Sequence, residues 1–203
     1  MLDARLRPLI DPPLNKAGEY LAKAGVSANA VTLVGFGLGI LAAIAIACGH
    51  TMIGFVFIAL NRLFDGLDGA VARATHKTDL GGYLDITLDF FFYGAIPIAF
   101  AIQNPSVNAL PAAALLASFY ANGSAFLAFA IMAEKRKLST EQRGSKSLYY
   151  LGGLAEGTET IALFFLMALV PNWFPVLAWS FAAVCTVSAS ARVMIGVRTL
   201  MHR

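Results

Sequence analysis

Apolar residues in this chain come in long runs, without the strict alternation of a half-buried strand. Six runs stand out, at about 30–48, 52–74, 80–102, 107–133, 148–170 and 174–197, and each has the roughly 20 residues that a membrane-spanning helix takes. The connections between them are of two kinds. Gly49-His50-Thr51, Gln103 to Val107 and Pro171-Asn172-Trp173 are short and hold no Lys, Arg, Asp or Glu, whereas the alternate connections and both termini hold most of the charge. All 15 Lys and Arg fall on that second side or in the helix halves nearest it, including Arg5, Arg7, Lys16, Lys23, Lys77, Arg136, Lys137, Arg143, Lys146 and Arg198. By the positive-inside rule both termini are cytoplasmic, which requires an even number of spans.

Ahead of the first run, residues 1–28 interleave Leu2, Leu6, Ile10, Leu14, Tyr20 and Leu21 with charge and are interrupted by Pro12-Pro13. This pattern predicts two short amphipathic pieces lying on the cytoplasmic membrane surface, because consecutive prolines break helical periodicity. Polar residues come first and the apolar run second, the wrong order for a cleavable leader, so the first run is expected to stay in the mature protein. The loop at 134–147 is the one connection of soluble character, and its basic residues suit a face attracted to anionic lipid.

Composition agrees with the pattern. Of 203 residues 58% are apolar and 13% charged, against roughly 45–50% and 25% in globular proteins, which excludes an ordinary soluble domain. The predicted architecture is an all-α integral membrane protein of six transmembrane helices with a short interfacial segment at its N-terminus, the whole of 1–203 forming one domain. A net charge of +3 and a pI near 9.0 would point to nucleic acid in a soluble protein. Here the bases report topology, and no nucleic-acid partner is expected. Cys48 and Cys185 lack any spacing that makes a metal site or disulfide framework.

Within this apolar chain four carboxylates are out of place. Asp65 and Asp68 lie near the cytoplasmic end of the second run, and Asp85 and Asp89 in the first turns of the third. An ionised carboxylate at mid-membrane costs roughly 2.5–3.5 kcal/mol, so four would cost on the order of 10 kcal/mol if each were insulated. A polar cavity and a multivalent cation would offset both the burial and the mutual repulsion. At 100° per residue Asp65 and Asp68 stand about 60° apart on one helix face and Asp85 and Asp89 about 40° apart on another. A short turn makes the two helices antiparallel, which brings the pairs to similar depth. Oxygen ligands of this hardness suit Mg²⁺ or Mn²⁺, and three or four acids around one small volume suit two such ions. Ion pairing with Arg62 and Arg73 is the competing explanation, but four acids and two bases do not balance. Gly69 and Arg73 are four residues apart, one above the other, with Ala70 and Ala72 alongside. This bare face admits a ligand to the backbone, and the planar fork of Arg73 suits a diphosphate.

Together these residues match the signature D-x2-D-G-x2-A-R-x7-8-G-x3-D-x3-D at Asp65, Asp68, Gly69, Ala72, Arg73, Gly81, Asp85 and Asp89, with seven residues between Arg73 and Gly81. The chain thus resembles the CDP-alcohol phosphatidyltransferase family over nearly its whole length. The resemblance implies an integral membrane homodimer, in the inner membrane if bacterial, with its active site facing the cytoplasm. It implies that Asp65, Asp68 and Asp85 are metal ligands and that Asp89 is the general base with an additional metal contact. It further implies donor nucleotide and diphosphate contacts at Gly69, Ala72, Arg73 and Thr78. Ser27-Ala28-Asn29-Ala30-Val31-Thr32 is similar to the family's N-terminal Pro-Asn/Asp-x-x-Thr segment, with Ala28 in place of proline, which adds Asn29 and Thr32 as nucleotide contacts. The implied reaction joins CDP-diacylglycerol and a small alcohol into a phospholipid and releases CMP.

The acceptor is less legible. Family members that use a phosphorylated acceptor commonly carry basic residues on the fifth and sixth spans and after the fourth. This chain has Lys135 and Arg192, but Glu156 and Glu159 stand where a fifth-span Arg is expected. Two acids on one intramembrane face favour an unphosphorylated alcohol. Glycerol phosphate or inositol phosphate as acceptor, and a different CDP-linked donor, are the alternatives with the same chemistry. The alternative of another class is a cation transporter, which predicts acids through the full membrane depth. Here the outer halves, such as Leu38 to Ala47 and Ala95 to Ala101, are apolar.

Overall fold

The computed structural model describes residues 3–137 and 157–201, and every regular element in them is helical. The order is α1 (Asp3–Lys23), α2 (Ala28–Ala47), α3 (Thr51–Ala74), α4 (Asp79–Gln103), α5 (Pro105–Lys135), α6 (Gly157–Leu169), a single 3₁₀ turn (Pro171–Trp173) and α7 (Phe174–Met201). Residues 148–156 of the fifth expected span, and the expected loop from residue 138 onward, lie outside the described residues.

Local chemistry sets where the helices begin and end. Ser27, in extended backbone, caps α2 by accepting from the Ala30 amide at 3.2 Å, and Thr78 caps α4 by accepting from the Gly81 amide at 3.0 Å. Gly25 and Gly49 take φ of +81° and +86° just past the ends of α1 and α2, the left-handed conformation that closes a helix and favours glycine. Four stretches are long and apolar enough to cross a membrane, namely α2, α4, α5 and Pro171–Met201. Helix α3 has comparable length, at 24 residues, but Arg62, Asp65, Asp68 and Arg73 interrupt its apolar character. In its described part α6 is a shorter apolar helix.

One element departs from expectation. In place of two amphipathic pieces broken at Pro12-Pro13, a single helix runs from Asp3 to Lys23, and it is docked on α3. Gly18 sits so close to α3 that an added Cβ would stand 2.7 Å from the Ala70 carbonyl carbon, and Asn15 bonds Arg73. The prolines remove amide donors from the helix, but close packing against α3 holds the remainder in register, so tertiary contact overrides the local break.

Helices α2, α3 and α4 form one packed group, with α1 and α6 against α3, while α5 packs on α4 and α7. The core between them is apolar and largely aromatic, with Ile46, Ile58, Phe92, Ile96, Phe100, Leu115, Phe164, Met167 and Phe174 fully buried. Phe100 and Phe174 stack with centroids 4.6 Å apart, and Phe92 meets Phe164 edge-on at 5.9 Å. Gly39 permits the approach of α4, since a Cβ there would meet the Phe92 ring at 2.7 Å. On the outside, Leu33, Val34, Leu41, Ile44, Ile98 and Ile102 are exposed, the apolar coat of a chain surrounded by hydrocarbon.

Candidate active site

The polar residues of α2, α3 and α4 meet at one narrow cleft. It is lined by Thr32, Gly35, Phe36, Asn61, Arg62, Asp65, Asp68, Asp85, Leu88 and Asp89. All four carboxylates singled out in the sequence are therefore brought together, from two antiparallel helices, at one place.

Each wall is held by a specific bond. The Asn61 amide on α3 donates to the Gly35 carbonyl on α2 at 2.8 Å, fixing the rotation of one helix against the other. Its carbonyl oxygen accepts from Arg62 Nε at 2.8 Å. Arg62 then crosses to α4, where Nη2 donates to Asp89 Oδ1 at 2.8 Å, while Nη1 lies 3.5 Å from Asp65 Oδ1. The guanidinium also rests 4.8 Å from the centroid of the Phe92 ring, a cation–π contact that helps to hold a charge away from water. The other oxygen of Asp89 accepts from the Tyr93 hydroxyl at 3.3 Å. Thr32 on α2 donates to Asp68 Oδ2 at 2.6 Å, shorter than its 3.0 Å approach to the Ala28 carbonyl one turn back. Asp68 is the most buried of the four acids.

Of the residues read as donor contacts, Asn29 and Thr78 meet at the starts of α2 and α4, while Gly69, Ala72 and Arg73 lie toward the end of α3. Asn29 at the start of α2 and Thr78 at the start of α4 converge over Gly81, where an added Cβ would meet Asn29 Oδ1 at 3.2 Å and Thr78 Oγ1 at 3.1 Å. Thr78 thereby carries a structural bond as well, the α4 cap. Further along α3, Gly69 is open except toward Arg73, whose Nη1 would stand 3.3 Å from a Cβ placed there. Ala72 is half-buried beside them. Arg73 makes no ion pair among the described residues. Its Nε and Nη2 both donate to Asn15 Oδ1, at 3.1 and 2.8 Å.

Of the residues read as acceptor contacts, the described ones, Glu159, Lys135 and Arg192, do not line this cleft. Glu159 is half-buried in the first turn of α6, Lys135 is exposed at the end of α5, and Arg192 on α7 rests 5.4 Å from the Phe126 ring centroid. Glu156 lies outside the described residues. Helix α6 does come close to the residues that hold Asp89, because a Cβ on Gly157 would stand 3.3 Å from the Tyr93 hydroxyl that bonds it.

The four acids expected to hold metal share one cleft without forming a tight cluster. Among the described residues no group of three or more acidic, His or Cys side chains is gathered closely enough to hold an ion, although all four acids line one cleft. The cause lies in the bonds just described, since Arg62 draws Asp89 and Asp65 to itself and Thr32 draws Asp68 toward α2. By donor chemistry the residues still fit a hard divalent cation, which takes carboxylate oxygens. Ion pairing, expected not to balance the acids, engages only Arg62 and leaves Asp68 and Asp85 without a basic partner among the described residues. Reading the sequence for acids alone missed the contributions of Asn61, Tyr93 and Asn15, and took Arg62 only as a competing ion-pair partner. Arg62 and Tyr93 were within reach, lying three and four residues from Asp65 and Asp89 on the same helix faces. Nothing local marks Asn15.

An acidic cleft among long apolar helices, with Arg73 further along α3, suits a membrane transferase that handles phosphate esters. Residues 26–193 match the CDP-alcohol phosphatidyltransferase family, and the chain belongs to it. It is a transferase of this kind, which sets aside the transporter reading, and members of the family use divalent metal ions. Over 200 residues, 98% of this chain and 97% of the relative, it is 48% identical to the inner membrane protein YnjF of Escherichia coli (strain K12). It is 36% identical to the archaetidylinositol phosphate synthase of Pyrococcus horikoshii over 87 residues, 42% of this chain and 46% of that enzyme. An uncharacterized protein of Aquifex aeolicus is 30% identical over 165 residues, 78% of this chain and 76% of the relative. No solved structure matches the chain significantly.

Proposed function

We propose that this protein transfers a phosphatidyl group from CDP-diacylglycerol to the hydroxyl of a small alcohol, making a phospholipid and CMP. The observation that carries the reading is the convergence of Asp65, Asp68, Asp85 and Asp89 on one cleft, beside Gly69 and Arg73 in the family's order and spacing. The enzyme is read as a single six-span domain over 1–203, dimeric, with its cleft open to the cytoplasm. Localisation to an inner membrane is supported by the name of the Escherichia coli relative.

In this reading Asp65, Asp68, Asp85 and Asp89 would hold Mg²⁺ or Mn²⁺, two ions per site. When bound, the metal neutralises diphosphate charge and orients the leaving CMP. The rest of the chemistry belongs to the side chains. An alcohol is a weak nucleophile until a base takes its proton as attack develops, and Asp89 is the base. Arg62 on Oδ1 and Tyr93 on Oδ2 restrict the rotation of its carboxylate, so one orientation meets the acceptor. The acceptor oxygen bonds to the lipid-bearing phosphorus, the bridging P–O bond breaks, CMP leaves with the bridging oxygen, and the proton goes to Asp89. Arg73, beside the bare face at Gly69, would bind the diphosphate, while Ala72, Asn29, Thr32 and Thr78 shape the nucleotide end.

In the sequence Glu156 and Glu159 stand where a basic fifth-span residue would meet an acceptor phosphate, which supports an unphosphorylated alcohol, and Lys135 and Arg192 remain the basic residues that a phosphorylated acceptor would need. A phosphorylated acceptor is the second reading, favoured by the archaetidylinositol phosphate synthase from Pyrococcus horikoshii. The test is to incubate purified protein with CDP-diacylglycerol, Mg²⁺ and a panel of free and phosphorylated alcohols, following CMP and the lipid product together. Release of CMP with no member of the panel would overturn the assignment of donor and acceptor class.

A further inference from the structure

Arg73 is the basic residue of the donor face, yet its guanidinium does not hang free. Both Nε and Nη2 converge on a single oxygen, Asn15 Oδ1, at 3.1 and 2.8 Å. Of the five guanidinium N–H groups two are thus taken, and the rest, including both on Nη1, stay available. Nη1 is the nitrogen that lies against the bare face of Gly69. The tether therefore holds one edge of the fork on α1 and turns the other toward the donor face.

The chemistry of the partner matters as much as its position. An amide oxygen accepts the two bonds without cancelling the positive charge, whereas a carboxylate there would form a bidentate ion pair and compete with the ligand's phosphates. Asn15 is held in place by the docking of α1, with Gly18 against Ala70 and Leu14 reaching Gly66 on α3. It also lies before residue 26, where the match to the family begins.

We infer that Asn15 is a positioning residue, a neutral tether that pre-orients Arg73 for the diphosphate of the nucleotide donor and makes α1 part of the donor site. This rests on the reading of Arg73 as a diphosphate contact. Full-length protein in detergent micelles is titrated calorimetrically with CDP in the presence of Mg²⁺, and the melting of each variant is recorded in parallel. Arg73→Ala should weaken CDP binding by roughly tenfold or more, and Asn15→Ala by roughly three- to tenfold, the loss of an oriented hydrogen-bonding partner. Asn15→Asp should weaken it at least as much as Asn15→Ala without lowering the melting temperature, an outcome that a merely structural tether would not produce. If Asn15→Ala does not fold, Asn15→Asp decides alone. Asn15→Asp binding CDP as tightly as the parent, while Arg73→Ala binds weakly, overturns the tether and leaves the donor site standing. Arg73→Ala binding like the parent removes the donor reading itself, and the inference with it.

Discussion

Arg62 on α3 donates to Asp89 on α4 across 2.8 Å, a charge-assisted bond between two groups 27 residues apart in the chain. It joins a base of one expected span to an acid of the next, and Asp65 stands 3.5 Å away on the same guanidinium. Removing Arg62 leaves two half-buried carboxylates without their shared cation, at a cost between the roughly 1 kcal/mol of an exposed pair and the roughly 3 kcal/mol of a buried one. Arg62→Met is expected to lower the melting temperature markedly. The double variant Arg62→Met with Asp89→Asn should recover part of that loss, because the charge left behind is gone. With Asp89→Asn measured alongside, losses of the two single variants that simply add in the double variant would mean that the pair carries no coupling.

Asp89→Asn keeps the shape of the side chain and its place beside Arg62 and Tyr93, but it cannot take a proton. Loss of a general base typically costs about 10²- to 10⁴-fold in rate. The variant should remain folded by circular dichroism and bind CDP, while its release of CMP from CDP-diacylglycerol falls by that order. A variant with parental turnover removes the base assignment.

Chelation addresses the metal. With the four acids as ligands, excess EDTA should abolish turnover, and added Mg²⁺ or Mn²⁺ should restore it, because Arg62, the cation of the cleft, is already engaged by Asp89 and Asp65. Turnover that survives chelation would sink the two-cation reading.

Thr32 and Asp68 provide a milder test of the same centre. The hydroxyl bond at 2.6 Å orients the carboxylate, and losing such a supporting bond commonly costs about 10- to 100-fold in metal affinity. Thr32→Val should raise the Mg²⁺ concentration needed for half-maximal activity by that factor, and Thr32→Ser should restore it. Parental metal dependence in Thr32→Val would confine the bond to a structural role.

Gly18 tests the docking of α1. A valine there collides with the backbone of Ala70 and Val71, which cannot rotate away as a flexible side chain would, so α1 has to lift. Overpacking of this kind costs about 1–3 kcal/mol. Gly18→Val should expose the first helix to limited proteolysis at protease concentrations that leave the parent intact. Unchanged cleavage would show that α1 is not anchored at this point.

Much of this protein was legible along the chain because helices translate spacing into direction. Apart from the start of the fifth, which lies outside the described residues, the apolar runs mark the helices to within about a turn, and offsets of three and four residues put Asp65 with Asp68, and Asp85 with Asp89, on shared faces. The turn between α3 and α4 makes them antiparallel, so the meeting of the four acids in one cleft also followed from local geometry. What lies between elements did not. Whether Arg62 bonds Asp89 depends on the rotation of α3 against α4, set partly by the Asn61 bond to Gly35 and by the room that Gly39 leaves for Phe92. The continuity of α1 through Pro12-Pro13, and the seating of Asn15 under Arg73 from 58 residues away, arise only when two helix surfaces meet. Periodicity encodes the face a residue occupies on its own helix, whereas the partner across the gap is chosen by packing, to which every residue of both faces contributes.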